Sequence, residues 1–237
     1  HVLRLFWMLP LGTACAKAWP SLLLFDPTYG KNKFAMPLHV FTCISNEGSG
    51  IPVAGGVTIQ ETREDFLWIF RSYKKSLRKN GIAPPKKAII DGDEWMRQAL
   101  MEVFPGTAVQ LGNWHFITAV KLHFRPEELV VMQKYFYRAI DSVTSELFER
   151  SWEKLLALVD RPTLRQYLTG LHAKRHLWAA AWTHTSFAAG IKGTQHTENI
   201  NRQVKRILQK ISGGASAASL TDVIVALNDR CVEVVEK

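Results

Sequence analysis

Cysteine is scarce in this chain and scattered: Cys15, Cys43 and Cys231 are the three present, with no CxxC pair among them. Such spacing argues against a zinc knuckle and against a disulfide framework, and fits a reducing compartment. No uncharged apolar run reaches the roughly 18 residues that a membrane-crossing helix needs. No membrane partner is therefore expected. Internal repeats and low-complexity tracts are also missing. What remains is ordinary globular composition, 47% hydrophobic and 22% charged. With 237 residues, the chain has room for one large domain, or for a core with a sizeable insertion.

Acidic residues are in deficit as well. Asp and Glu number 21 against 30 Lys and Arg, a net charge of +9. A surplus of that size suits a polyanionic partner, with nucleic acid the first candidate. The N-terminus resembles a secretory signal: Arg4 precedes the apolar run Leu5 to Leu11, and Ala14-Cys15-Ala16 follows. The chain opens on His1 rather than Met. The expectation is therefore an internal segment of a longer protein, not a leader peptide.

Reading along the chain, the first part alternates between strand and helix patterns. Ser21 to Phe25 is a short apolar run ending at Asp26, and Pro27 to Lys33 is turn chemistry. Pro37 to Ile44 and Ile51 to Gln60 predict two more strands around the turn Asn46 to Gly50, the second interrupted by Gly55-Gly56. Thr62 with Asp65 resembles a capping box, and Phe66, Ile69, Phe70, Tyr73 and Leu77 form one helical stripe ending before Gly81. Lys86 to Ile90 is another apolar strand, ending at Asp91. A helix over Asp93 to Phe104 and a strand over Thr107 to Leu111 complete this part. From about Asn113 to Ala189 the pattern is helical, with Pro126 and Pro162 marking helix starts. Gly190 to Gly193 breaks it, Thr194 to Ile211 is a further helix, and a last helix begins near Leu220.

The order predicts a mixed five-stranded sheet flanked by helices, an α/β fold. The three leading strands should be antiparallel and the later ones parallel. Residues 1–18 are expected to precede the core, 19–112 to form its first part, 113–193 to be an all-α insertion, and 194–237 to return to the core.

Ligands in such sheets collect at strand ends. Asp26 and Asp91 each follow a short apolar run, where solubility explains an acid poorly. If their strands are neighbours, two repelling carboxylates share a site comfortably only with a cation between them. Oxygen ligands suit Mg²⁺, and two ions about 3.5–4 Å apart serve phosphoryl transfer. Glu198, at the start of a helix striped by Ile200, Val204, Ile207 and Ile211, is the third candidate acid. Asn201, Arg202, Lys205 and Gln209 should project with it, away from the stripe, the basic groups towards phosphates. Other readings stand beside these. Asp91 could cap the following helix, Asp93 competes with it as a ligand, and Glu198 could simply favour the helix dipole.

Longer strings sharpen the choice. Asp26-Pro27-Thr28-Tyr29-Gly30-Lys31-Asn32 through Pro37-Leu38 resembles the D-x-T-Y-x-x-N…P-L signature of Mutator-like element (MULE) transposases. Glu61 with Phe66 and Trp68, Asp91 with Ala99 and Val103-Phe104-Pro105, Leu111 with Trp114-His115, and Thr194 with Glu198, Asn201 and Lys205 are similar to further family strings in the same order. The resemblance implies an RNase H-like fold with a helical insertion before the last catalytic helix. It implies a DDE transposase triad at Asp26, Asp91 and Glu198 binding two Mg²⁺ or Mn²⁺ ions. The implied reaction is hydrolysis at the element end, then attack of the freed 3′-hydroxyl on target DNA. That scheme forms no covalent enzyme intermediate, in keeping with the lack of a nucleophilic Ser or Cys motif. Double-stranded DNA, a homo-oligomer in the active complex and the nucleus of a eukaryotic host follow as expectations. His115, Asn201, Arg202 and Lys205 are the expected DNA contacts. Departures exist: Gly112 stands where the family has Cys or Asp, Ile90 where it has Thr, and Asn199 where it has Ser. The flanking zinc-binding modules common in relatives are not in this sequence. The rival class is a domesticated relative of the far-red-response type, binding DNA as a transcription regulator without cutting it. Retention of all three acids argues for the enzyme, and Gly112 for the regulator. His172 with His176, one turn apart, has no evident third ligand for zinc. Trp178 and Trp182 are expected to pack in the insertion's core.

Overall fold

In the computed structural model the described residues are 3–186, 188 and 190–236. The helical stretch expected up to Ala189 therefore ends partly outside them. The chain divides into two compact units: Gln110–Ala188 is one, and the described residues on either side of it form the other.

The first unit opens with strand β1 (Arg4–Met8), helix α1 (Pro10–Ala18), and strands β2 (Leu22–Thr28), β3 (Leu38–Ile44) and β4 (Gly50–Thr58). Helix α2 (Arg63–Lys79), strand β5 (Lys87–Ile90), helix α3 (Glu94–Val103) and strand β6 (Ala108–Leu111) follow. The strands form one sheet in the order β1-β4-β3-β2-β5-β6. Strand β3 is antiparallel to both β2 and β4, and β5 runs parallel to β2, as the connections predict. The sheet has six strands, not five. The extra one is β1, antiparallel to β4 from Arg4↔Thr58 to Met8↔Ala54. Residues 4–18, expected to precede the core, thus supply an edge strand and a helix. Of the apolar run that resembles a secretory signal, Leu5 to Met8 are half-buried sheet, and Pro10 and Leu11 open α1.

Strand β2 reads as a continuous apolar run because it is covered on both faces; Leu22 to Phe25 are all buried. The Gly55-Gly56 pair does not interrupt β4. A Cβ on Gly55 would meet Trp7 and Leu227, and one on Gly56 would meet Ile69 from the opposite face. Glycine is needed there because helices close on both sides of the strand. The capping box of α2 forms as expected: Thr62 Oγ1 accepts from Asp65 N at 3.2 Å, and Asp65 Oδ2 accepts from Thr62 N at 3.4 Å. All five residues of the predicted α2 stripe are buried.

The second unit holds α4 (Asn113–Lys121), a 3₁₀ turn at Pro126–Glu128, α5 (Leu129–Val131), a π turn (Met132–Phe136), α6 (Tyr137–Ile140), α7 (Ser145–Ala157), α8 (Pro162–Ala173) and α9 (Ala180–Thr183). Its core is aromatic. Phe136, Phe148, Trp152 and Trp178 are buried, and Trp178 stacks on Phe116 at 5.0 Å. His172 Nε2 bonds Glu149 Oε2 at 2.7 Å, an ordinary structural contact.

The chain returns to the first unit for α10 (Gln195–Ser212) and α11 (Leu220–Val235), separated by Gly213, whose φ of 71° makes the left-handed stop. No helix among the described residues is long and apolar enough to cross a membrane.

Candidate carboxylate site and its basic rim

The parallel register of β2 and β5 ends on Phe25↔Ile90. Asp26 and Asp91 are the next residues of the two neighbouring strands, so both arrive at the same end of the sheet. Asp91 stands just beyond its strand. Asp26 lies inside β2, which continues through Thr28. The two side chains hydrogen-bond to each other. Burial foremost, then the charge of Asp91 and that hydrogen bond, then the charge of Glu198, push the Asp26 carboxyl up to about 8; a hydrogen bond from Asn201 opposes the shift. A buried carboxyl facing two others holds its proton well past the usual range.

Helix α10 brings the third acid. Its core face is Thr197, Ile200, Asn201, Val204 and Leu208. Ile211, expected in the stripe, is exposed. The stripe is thus rotated from the one expected, and Asn201 changes sides with it. Expected to project outward as a DNA contact, Asn201 is buried instead and donates Nδ2–H to Asp26 Oδ2 at 3.3 Å. Two polar contacts seat the first turn of α10: Thr197 Oγ1 donates to Thr42 Oγ1 at 3.2 Å, and Thr194 Oγ1 stands 3.4 Å from both Asp91 Oδ1 and Glu198 Oε1. One hydroxyl proton serves one carboxylate at a time. Thr194 is therefore a shared, half-sufficient donor between the second and third acids.

The competing readings of the acids separate. Asp93 is the N-cap of α3, accepting from Met96 N at 2.7 Å, and Asp91 is not. Glu198 does occupy the first turn of its helix, and it also faces Thr194 and Asp26. Among the described residues, no group of three or more His, Cys, Asp or Glu side chains is placed so that it could hold a metal ion. Asp26 and Asp91 bond to each other, and Thr194 stands between Asp91 and Glu198.

Three neighbours were not singled out from the sequence. The Tyr29 hydroxyl bonds the Glu61 carboxylate, whose Oε1 is buried without a hydrogen-bond partner. Burial raises Glu61, the Tyr29 bond opposes it, and the charges of Asp93 and Asp91 add to the rise. Lys31, on the loop after β2, is buried within electrostatic reach of Asp26 and Lys205; burial lowers its ammonium pKa first. A lysine in a turn-like sequence looks like a solvated charge, so nothing in the string flags it. Arg202 and Lys205 are exposed on α10, as expected. His115 belongs to the second unit, half-buried on α4, with its ring edge-on to Trp114 at 4.7 Å. Gly112, just before α4, gives that helix no side-chain cap.

A mixed sheet thus gathers acids at one end, beside a helix with exposed basic residues. Residues 22–119 match the MULE transposase domain. That range takes in Asp26, Asp91, Gly112 and His115. Relatives align further. Protein FAR1-RELATED SEQUENCE 5 of Arabidopsis thaliana is 26% identical over 84% of this chain and 25% of its own length. Protein FAR-RED IMPAIRED RESPONSE 1 of the same plant is 24% identical over 87% of this chain and 25% of its own length. A stretch of the PKS-NRPS hybrid synthetase cheA of Chaetomium globosum, 5% of that protein, is 26% identical over 91% of the chain. The chain spans about a quarter of the length of the plant relatives.

Proposed function

We propose that this chain is a DNA-binding domain of transposase descent that acts in the nucleus on double-stranded DNA as a regulator, without cutting it. The relatives carry this choice. Their alignments run through most of the chain, and one is named for a far-red response, the other as related to FAR1, neither for transposition. Gly112, in place of the family's Cys or Asp, points the same way. The net charge of +9 supplies affinity for a phosphate backbone, and the exposed Arg202, Lys205 and Arg206 are the groups that α10 offers to it. The RNase H-like reading of the sheet belongs to the same proposal, supported by its mixed strand order.

A second reading, metal-dependent hydrolysis and strand transfer, is favoured by one observation: the approach of Asp26, Asp91 and Glu198 to one another. Their all-oxygen donor set fits a hard cation. The buried Asp26 also carries a proton that a cation would displace. In this reading Asp26, Asp91 and Glu198 would hold two Mg²⁺ or Mn²⁺ ions. When bound, such ions supply Lewis-acid activation of the attacking and leaving oxygens. The chain's own part is positional. Asn201 orients Asp26, Thr194 spans Asp91 and Glu198, and His115 with the α10 cations contacts DNA, in a homo-oligomer that holds two element ends.

The experiment incubates the protein with DNA carrying matched terminal repeats and Mg²⁺, beside Asp91→Ala. The regulator binds the site, as does the variant, and neither makes product. A nicked or joined product that needs Mg²⁺ and vanishes in Asp91→Ala replaces the regulator with the enzyme. Absence of any duplex binding rejects both.

A further inference from the structure

The loop between β2 and β3 carries more exposed aromatic surface than its length explains. Tyr29 is 59% exposed and Phe34 55%. A single exposed aromatic is unremarked on a protein surface. Here two share one short loop, flanking the buried Lys31 and the exposed Lys33 in the string Tyr29-Gly30-Lys31-Asn32-Lys33-Phe34.

The loop is also held in shape. Asn32 is buried at its centre; its Nδ2–H donates to Met36 O at 2.8 Å, and its Oδ1 accepts from Phe34 N at 3.1 Å and Met36 N at 3.2 Å. Lys33 N donates to Ala218 O at 2.8 Å, tying the loop to the turn before α11. Ala35 sits at φ 54°, a left-handed conformation that a non-glycine residue adopts at a cost and that the Asn32 bonds impose. The Tyr29 hydroxyl is fixed by Glu61. Lys33 Nζ lies 5.3 Å from the centre of the Phe34 ring. Both rings are therefore presented to solvent on a braced backbone, at little further ordering cost to a ligand.

Flat, exposed, braced rings interleaved with ammonium groups match one ligand chemistry well. Bases inside a duplex have their faces covered by their neighbours, whereas unpaired bases offer theirs for stacking. We propose that this loop binds unpaired DNA, with bases stacking on Tyr29 and Phe34 while the exposed Lys33 and Lys205 take phosphates of the same strand. Lys31 and Lys205 lie together beside Asp26, so the strand gripped by the loop is led to the carboxylate end of the sheet. The inference rests on the DNA-binding reading above and adds the form of DNA that the site prefers.

The test is fluorescence anisotropy of the full chain at fixed salt with a labelled oligo-dT strand and with a blunt duplex of equal length. Tyr29→Ala and Phe34→Ala are compared with wild type, their folding checked by thermal melting. Each substitution should weaken binding of the single strand by roughly tenfold or more and leave duplex binding within about twofold. Tyr29→Phe, which keeps the ring and loses the Glu61 bond, should retain single-strand binding. Equal losses on both DNAs, or no loss on the single strand, overturn the proposal. So does an oligo-U strand bound more tightly than oligo-dT. If wild type binds the duplex and not the strand, this inference fails by itself. If it binds neither, the DNA-binding reading fails with it.

Discussion

Two aspartates of the sheet unit are buried to the same degree, Asp65 at 5% exposure and Asp26 at 6%, in opposite company. Asp65 is surrounded by donors: Arg4 Nε at 2.8 Å, Thr62 Oγ1 at 2.8 Å and Thr62 N at 3.4 Å. It caps α2 and pins β1 to it. Asp26 faces two more acids, and the neutral amide of Asn201 is its donor from α10, at 3.3 Å. A buried carboxylate with donors is a structural device. One set against its own kind, with a long hydrogen bond from a neutral amide in place of a cation, is a cost that the rest of the fold carries. Burial alone does not mark a functional acid; its partners do.

The largest effect that could break this contrast belongs to Asp65. Asp65→Ala removes a helix cap and strands Arg4, so the chain should lose roughly 2–4 kcal/mol of stability in urea denaturation. A loss under about 0.5 kcal/mol would mean that the donors around Asp65 are decoration.

Asp26→Asn should go the other way. The folded carboxyl titrates at about 8, above its ordinary value of 3.8. Below pH 4 the group is protonated in both states and costs nothing. As pH rises through the interval towards 8, the unfolded chain gives up a proton that the folded chain must keep, and stability falls. The amide has the same shape and no charge to bury. It should therefore stabilise the protein by roughly 2 kcal/mol near pH 8, with the gain fading below pH 4. A flat difference between the two proteins across pH 4 to 8 would show that Asp26 does not carry the strain assigned to it.

The same contrast extends to divalent cations. Mg²⁺ or Mn²⁺ should raise the melting temperature of wild type, the underlying gain in stability being roughly 1.4 kcal/mol for each tenfold of free ion above Kd. Asp26→Asn should respond far less. Because Asp26 must lose its proton to bind, apparent cation affinity should climb with pH up to about 8. Equal responses in both proteins would place the ion elsewhere and remove the second reading of the function.

Much of this was legible in the string. The strands at Leu22–Thr28 and Lys87–Ile90 announce themselves as apolar runs, and the α2 cap and stripe follow from spacing alone. Parallel pairing of those two strands suffices to bring Asp26 and Asp91 together. The rest was hidden for physical reasons. Arg4–Met8 is too short and too uniformly apolar to show strand alternation, and its place at the sheet edge is decided by long-range pairing with β4. On α10, one helical stripe can be drawn through Ile207 and Ile211 or through Leu208; only packing against the sheet selects the latter and turns Asn201 inward. Asp91 and Asp93 are equal candidates in sequence, and the cap bond to Met96 separates them. Lys31 gave no signal, since burial of a loop lysine depends on what folds over it.

The smallest and sharpest test lies at Thr194, which is buried between Asp91 and Glu198. Two contacts of 3.4 Å from one hydroxyl are worth little each, so Thr194→Val, of nearly the same volume, should change stability by no more than about 1 kcal/mol. Its consequence should appear elsewhere. With the hydroxyl gone, the two carboxylates lose a neutral donor that stands between them. A cation then becomes worth more to the fold. The melting-temperature rise on adding Mg²⁺ should therefore be larger in Thr194→Val than in wild type, although the variant starts out no more stable. A structural threonine would give the reverse: a plain loss of stability, indifferent to the ion. The sign of that change tells whether the acids at positions 91 and 198 are held apart by the protein or are waiting to be drawn together.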